Sequence, residues 1–163
     1  MEEVEPVHLI LMGNTKKSND KNIVNVFDLK GSFKNRLVHG SNLKPTATLK
    51  DLNLLEICKE KLLLRFRPED QEEIMKNLEF DVEMLRQHNL MDYSLLLAIE
   101  KNADFEKMKR AKGGAFSKTT HSTNSVDDEI SRELHKKFAD KTRHTYLSKS
   151  GKFIYHLAII DYL

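Results

Sequence analysis

The run LLLAIE, residues 95–100, constrains this chain more than any other stretch. It is apolar until its last residue and far shorter than the roughly 18 residues of a membrane span. Its length and composition read as a buried strand. One acid, Asp92, stands just ahead of it in LMDYSLLLAIEK, residues 90–101. Ionised carboxylates seldom lie against such runs unless something pairs with them or uses them. Asp92 therefore needs either a partner or a task.

Other segments supply companions for that strand. VHLILM, 7–12, ends at Gly13-Asn14 and reads as a buried strand followed by a turn. NIVNVFDLK, 22–30, is rich in β-branched and aromatic residues, stops at Gly31-Ser32 and reads as a second strand. The polar loop between them suggests a hairpin. Residues 48–61 read as partly helical, and KLLLRF, 61–66, as a short strand or the end of that helix. Pro68 opens the clearest helix. Glu69, Asp70, Glu72 and Glu73 crowd its start, while Arg86 and His88 sit near its end, signs that suit the helix dipole. Ile74, Leu78, Val82 and Leu85 fall at helical spacing and form one apolar face.

The stretch at about 102–150 differs in character. Six of the nine residues from Ser117 to Ser125 are Ser or Thr, which reads as a mobile insertion. Within it DDEISRELHKKFADK offers a short helix, with Ile130, Leu134 and Phe138 at four-residue intervals. KFIYHLAIIDYL closes the sequence as a strand. The order strand, strand, helix, strand, insertion, strand predicts an α+β fold with an antiparallel sheet and packed helices.

Charge and cysteine content narrow the class of function. The 27 basic and 25 acidic residues leave a net charge of +2, too balanced to point to nucleic acid. A single cysteine, Cys58, excludes an internal disulfide, and the acidic start with its short apolar run does not resemble a signal peptide. A cytoplasmic domain is the expectation. The seven histidines lack ligand spacing, which argues against a zinc site.

If the strand after Leu90 and the strand ending at Ile160 pair antiparallel, the start of one lies beside the end of the other. Asp92 and Asp161 then share one edge of the sheet. Neighbouring carboxylates repel unless a cation or a proton sits between them, and Mg²⁺ is the hard cation suited to oxygen ligands. Asp28 also stands at a strand end, and Lys30 beside Gly31 is a plausible phosphate contact. Plainer readings stand alongside: Asp at a strand end commonly forms a turn or cap, KGS is commonly a turn, and Lys16, Lys17 and Lys21 read as a solvated loop.

Three segments taken together, FDLKGS (27–32), FDVEMLRQHNLMDYSLLLAIE (80–100) and AIIDYL (158–163), resemble the phosphatidylinositol phosphate kinase family. TLKDLN (48–53) fits the family's segment between the first two, and HLILMGNT resembles its hinge strand. The resemblance runs in the family's order through most of the chain outside the Ser/Thr-rich stretch. It implies part of the catalytic domain related to protein kinases and SAICAR synthase, with the hinge strand and core of the C-lobe. The reaction implied is transfer of the ATP γ-phosphate to an inositol-ring hydroxyl of a phosphoinositide. Which ring position is phosphorylated stays open.

By that resemblance Asp92 is the catalytic-loop acid that orients or deprotonates the attacking hydroxyl, and Asp161 holds Mg²⁺ on the ATP phosphates. Arg36 matches a basic position that approaches the lipid phosphate, Lys30 is a further phosphate contact, and Lys34 and Lys44 are weaker candidates. The partners implied are ATP and a phosphoinositide membrane lipid, at a peripheral membrane site, with no nucleic acid. The family's glycine-rich loop and ATP-binding lysine precede the hinge strand. Another lobe or a protein partner is therefore expected to complete the domain, and the chain is expected to be inactive alone. Phe33 stands where the family usually has Thr, and Ala98 and Glu100 where it usually has Gly and His. The competing expectation is a non-catalytic relative that serves as a structural or interaction subunit.

Overall fold

The structure, a computed structural model, describes residues 20–40, 47–61, 64–113, 123–138 and 144–161. After a short 3-10 turn at Asp20–Asn22, β1 runs from Ile23 to Leu29 and β2 is the two-residue Thr48–Leu49. Helices α1 (Asp51–Lys61) and α2 (Pro68–Gln87) precede β3 (Ser94–Lys101). Helices α3 (Ala103–Gly113) and α4 (Thr123–Phe138) follow, then β4 (Thr145–Leu147) and β5 (Phe153–Ile160). The fold is α+β, as the sequence predicts. The strand expected at 7–12, with the hairpin it would make, lies outside the described residues.

The strands form one sheet in the order β2-β1-β3-β5-β4. Three of the four pairings are antiparallel, but β1 and β2 run parallel, with Val26 opposite Thr48 and Phe27 opposite Leu49. The sheet is therefore mixed rather than wholly antiparallel. A parallel neighbour requires a crossover connection in place of a tight turn, and the 18 residues between Leu29 and Thr48 are long enough for one. Strand β3 lies at the centre, between β1 and β5. That position explains why LLLAIE lacks polar alternation, because a strand covered on both faces has no solvent side.

Two apolar layers cover the sheet. On one face Phe27, Leu97, Ile99, Tyr146, Tyr155 and Leu157 pack with Leu49 and with Ile74 of α2, joined by Leu54 and Ile57 of α1 and Leu78 of α2. Phe66, in the connection to α2, sets its ring edge against Tyr155, 4.9 Å between centroids. Residues adjacent along a strand point to opposite faces. Leu147 and Ile154, which face one another across β4 and β5, thus serve the second layer with Phe105, Ile130 and Leu134. The stretch read from sequence as an insertion carries α3, α4 and β4, whose apolar residues build this second core. The expected helix around Ile130 and Leu134 is α4, and both residues are buried. Residues 114–122, the centre of the Ser/Thr-rich stretch, lie outside the described residues.

Asn102 ties the α3 start to the β4–β5 turn. Its amide donates to the Gly151 carbonyl at 2.9 Å, and its Oδ1 accepts the Asp104 N–H at 3.1 Å, a side-chain cap on the first turn.

Candidate active site

The end of α2 sets the approach to Asp92. The Leu90 N–H bonds back to the Leu85 carbonyl at 3.0 Å, and the Asn89 N–H to the Arg86 carbonyl at 3.1 Å. With Asn89 in the left-handed region at φ 54°, this is the Schellman pattern that ends a helix. Asn tolerates that conformation better than most residues, so RQHNL stops α2 and turns the chain toward β3. Two residues on from Leu90, Asp92 also has a left-handed backbone, at φ 58°. It precedes β3 instead of lying within it, and its side chain is 70% exposed. The apolar run therefore does not desolvate it.

Asp92 has its partner. Lys30 Nζ donates to Asp92 Oδ1 at 2.5 Å and to the Asp92 backbone carbonyl at 2.5 Å. The second acid sits on the neighbouring strand's end. Ser94 pairs with Ile160 across β3 and β5. Asp92 comes two residues before that pair, and Asp161 one residue after it, with φ 56°. Both acids thus stand at the same edge of the sheet, although β3 and β5 are not consecutive strands: α3, α4 and β4 intervene in the chain, with β4 on the far side of β5.

The turn that carries Lys30 is fastened from below. The N–H groups of Lys30 and Gly31 both donate to Asp51 Oδ1, at 3.1 and 2.9 Å. Gly31 has φ 65°, where a side chain is strained. Asp51 Oδ2 accepts Arg36 Nε at 2.7 Å. Arg36 Nη2 donates to Asp28 Oδ1 at 2.8 Å and to the Asp28 carbonyl oxygen. The Leu52 N–H closes the ring by donating to the Arg36 carbonyl at 3.0 Å.

Burial pushes the carboxyls of Asp28 and Asp51 upward, but their bonds outweigh it and both end below the ordinary carboxylate range. For Asp28 the opposing contributions are the Arg36 guanidinium, the Ser94 hydroxyl and the charges of Arg36 and Lys30. For Asp51 they are Arg36 and the backbone N–H groups of Gly31 and of Asp51 itself. Burial likewise pulls Arg36 down, and the two carboxylates raise it above its usual value.

The structure brings Lys30, Asp92 and Asp161 to one end of the sheet. Arg36 is set behind Lys30, buried and gripped by Asp28 and Asp51. Lys34 lies exposed in the turn at 34–35, with Phe33 exposed beside it. Lys44 is outside the described residues. Glu100 is buried far along β3, where it meets His156 Nε2 at 2.9 Å. Asp51 has no role assigned from sequence, where it is one acid among 25. Its position as the first-turn acid of α1, directly after a strand, is the signal that could have singled it out.

Among the described residues no group of three or more His, Cys, Asp or Glu side chains gathers into a metal cage. Nor is any described helix long and apolar enough to cross a membrane.

A family model described as Phosphatidylinositol-4-phosphate 5-Kinase matches residues 1–163. The mouse (Mus musculus) phosphatidylinositol 4-phosphate 5-kinase type-1 beta is 42% identical over 74 residues, 45% of this chain and 13% of that protein. Its human (Homo sapiens) counterpart is 40% identical over 45% of the chain and 13% of its own length. Phosphatidylinositol 4-phosphate 5-kinase 7 of Arabidopsis thaliana is 35% identical over 98 residues, 60% of this chain and 12% of that protein. The matched region is thus about an eighth of these relatives. Because the family model spans the chain from Met1 to Leu163, the chain belongs to the phosphatidylinositol-4-phosphate 5-kinase family.

Proposed function

We propose that the sheet edge holding Asp92 and Asp161 is the phosphoryl-transfer site of a lipid kinase domain that moves the ATP γ-phosphate to an inositol-ring hydroxyl of a phosphoinositide. The observation that carries this reading is the Ser94–Ile160 pairing, which sets the two acids at one end of neighbouring strands with Lys30 against the first. Family membership and the names of the mammalian and plant relatives agree with it. In this reading residues 1–163 form the hinge and C-lobe core of the catalytic domain.

Phosphoryl transfer depends on positioning and charge neutralisation more than on covalent chemistry. Asp92 is exposed, so an incoming hydroxyl can reach it, and its carboxylate can orient that hydroxyl and accept its proton. Lys30 would stabilise the carboxylate and offer a positive charge to a phosphate oxygen. Asp161 supplies oxygen donors of the kind Mg²⁺ prefers. With no metal cage among the described residues, the nucleotide phosphates would complete the ion's coordination. Bound Mg²⁺ would neutralise charge on the phosphates. Lys34 is proposed as a phosphate contact of the lipid from its exposed turn, while Arg36, buried and bound to Asp28 and Asp51, would act on the phosphate site through the turn that carries Lys30. Such a domain works at a membrane surface without crossing it, on the cytoplasmic side where ATP is found.

The test is transfer of labelled phosphate from ATP to phosphatidylinositol 4-phosphate vesicles by this chain together with the lobe or partner that completes the domain. Turnover that disappears in both Asp92→Asn and Asp161→Asn is the expected result. Turnover that survives Asp92→Asn rejects the site, and a folded, completed wild-type domain that neither binds ATP nor transfers phosphate favours the reading as a structural or interaction subunit.

A further inference from the structure

We infer that Asp51 is a positioning residue for the Lys30–Asp92 couple, an inference that rests on the phosphoryl-transfer reading of Asp92. Two successive backbone N–H groups, of Lys30 and Gly31, converge on one oxygen of Asp51 at 3.1 and 2.9 Å. Successive N–H groups at a turn with a left-handed residue form a concavity suited to an anion. Here a carboxylate of the chain itself occupies it. These backbone amides are thus committed to Asp51 and are not offered to a ligand phosphate. What faces the candidate site is the Lys30 ammonium.

The second oxygen of Asp51 is equally committed, to Arg36 Nε at 2.7 Å, and Arg36 reaches Asp28 on β1. One buried carboxylate therefore joins three pieces: the start of α1, the end of β1 and the turn that aims Lys30. Nothing else among the hydrogen bonds of the described residues holds the Lys30 and Gly31 amides. Without the carboxylate the turn keeps its lysine but loses the anchor that places it. A displacement of about 1 Å near reacting groups can cost about 100-fold in rate.

A merely structural Asp51 would change how much protein is folded and leave the folded molecules alike. The experiment therefore reads Lys30 itself. The protein is treated briefly with a small amine-acylating reagent under folding conditions, and labelling of Lys30 is measured by mass spectrometry against exposed Lys107 as an internal reference. In Asp51→Asn the relative labelling of Lys30 is expected to rise about tenfold, the scale of one charge-assisted hydrogen bond. Asp51→Glu, which keeps the charge, is expected to recover most of the protection. In the vesicle assay Asp51→Asn is expected to lower kcat about 10- to 100-fold with little change in KM for ATP.

Unchanged Lys30 labelling in folded Asp51→Asn overturns the inference, whether or not turnover is measurable, and so does equal behaviour of the Asn and Glu variants. Loss of turnover in Asp92→Asn with wild-type kcat in Asp51→Asn removes this role and leaves the phosphoryl-transfer reading standing. Turnover that survives Asp92→Asn removes that reading, while the Lys30 labelling still decides whether Asp51 holds the turn. Should Asp51→Asn fail to fold, hydrogen exchange of the wild-type Lys30 and Gly31 amides carries the test: protection of both is expected, and free exchange of both overturns the inference.

Discussion

Asp92 shows how one residue can combine a fixed backbone with an exposed, ion-paired side chain. Its left-handed φ and the Schellman turn behind it hold the backbone, while the carboxylate projects to solvent and meets Lys30. Such an exposed ion pair contributes only about 0–1 kcal/mol to stability. Asp92→Asn is therefore expected to leave the thermal midpoint nearly unchanged while turnover falls about 10²–10⁴-fold, the usual range for loss of a general base. A melting curve beside the labelled-ATP assay checks both halves, and a large fall in midpoint would show that the residue is structural. From sequence, an acid beside an apolar run looked like a desolvated group. The structure moves it off the end of the strand, because RQHNL ends the helix and the chain needs Leu90 to Tyr93 to reach β3. Hydrophobicity located the strand; it could not say on which side of the strand boundary the acid falls. Asn89 itself is a further test. Replacing it with Val, a β-branched residue poorly suited to φ 54°, is expected to cost about 1–2 kcal/mol in a urea titration, with Asn89→Gly neutral or slightly stabilising.

At the scale of elements, the turn after β1 and the start of α1 form a charged joint of Asp28, Arg36 and Asp51. Both acids have folded-state pKa values below their ordinary range. A depressed carboxyl stabilises the fold at pH above its unfolded pKa, about 3.9, and that contribution disappears as pH falls through the lower folded value. Burial holds the His135 imidazole below its ordinary value, so the urea midpoint is expected to decline modestly as pH falls below about 6.5, while the Asp28 and Asp51 contribution holds to about pH 4.5 and is lost below about pH 4. Asp51→Asn should start from a lower midpoint and fall less steeply over the same acid range; a variant with the wild-type acid slope would show that Asp51 does not contribute to it. This joint was invisible in the sequence, because Asp51 and Lys30 are 21 residues apart and only the fold makes them neighbours. The elements β1, α2, β3 and β5, by contrast, were legible, since each carries its own signal: β-branched runs, a Pro68 start with acids behind it, a continuous apolar stretch. Helix α4 was legible in Ile130 and Leu134. Helix α3 was not, since ADFEKMKRAKG buries little beyond Phe105 and partly buried Met108 and reads as a polar connection. The parallel β1–β2 pair escaped for another reason: a two-residue strand has no periodicity to read.

Among the described residues, β3 and β5 link two regions of different make-up. At one end, around Ser94 and Ile160, they present Asp92 and Asp161; at the other, around Lys101 and Phe153, they run into the α3–α4 layer. The eight residues of β3, at about 3.4 Å each, separate the two ends by roughly 25 Å. The second core should therefore set stability without setting chemistry. Leu134 is the residue to test, being buried in the cluster with Phe105, Ile130 and Leu147. Leu134→Ala removes three carbons from a packed site and should cost about 2–5 kcal/mol, the range for buried leucines. The neighbourhood is tight enough for collapse to be limited, since even a Cβ on Gly151 would lie 3.2 Å from the Ser131 Cα and 3.4 Å from Leu134 Cδ1. Below its new midpoint the variant should transfer phosphate with wild-type kcat, because no atom at the Asp92–Asp161 edge loses a contact. The measurement is kcat on phosphatidylinositol 4-phosphate vesicles at several temperatures beside a thermal melt. A kcat that falls well before the folded population does would mean that the sheet transmits strain along β3 and β5, and that the α3–α4 layer helps to hold the two acids in register.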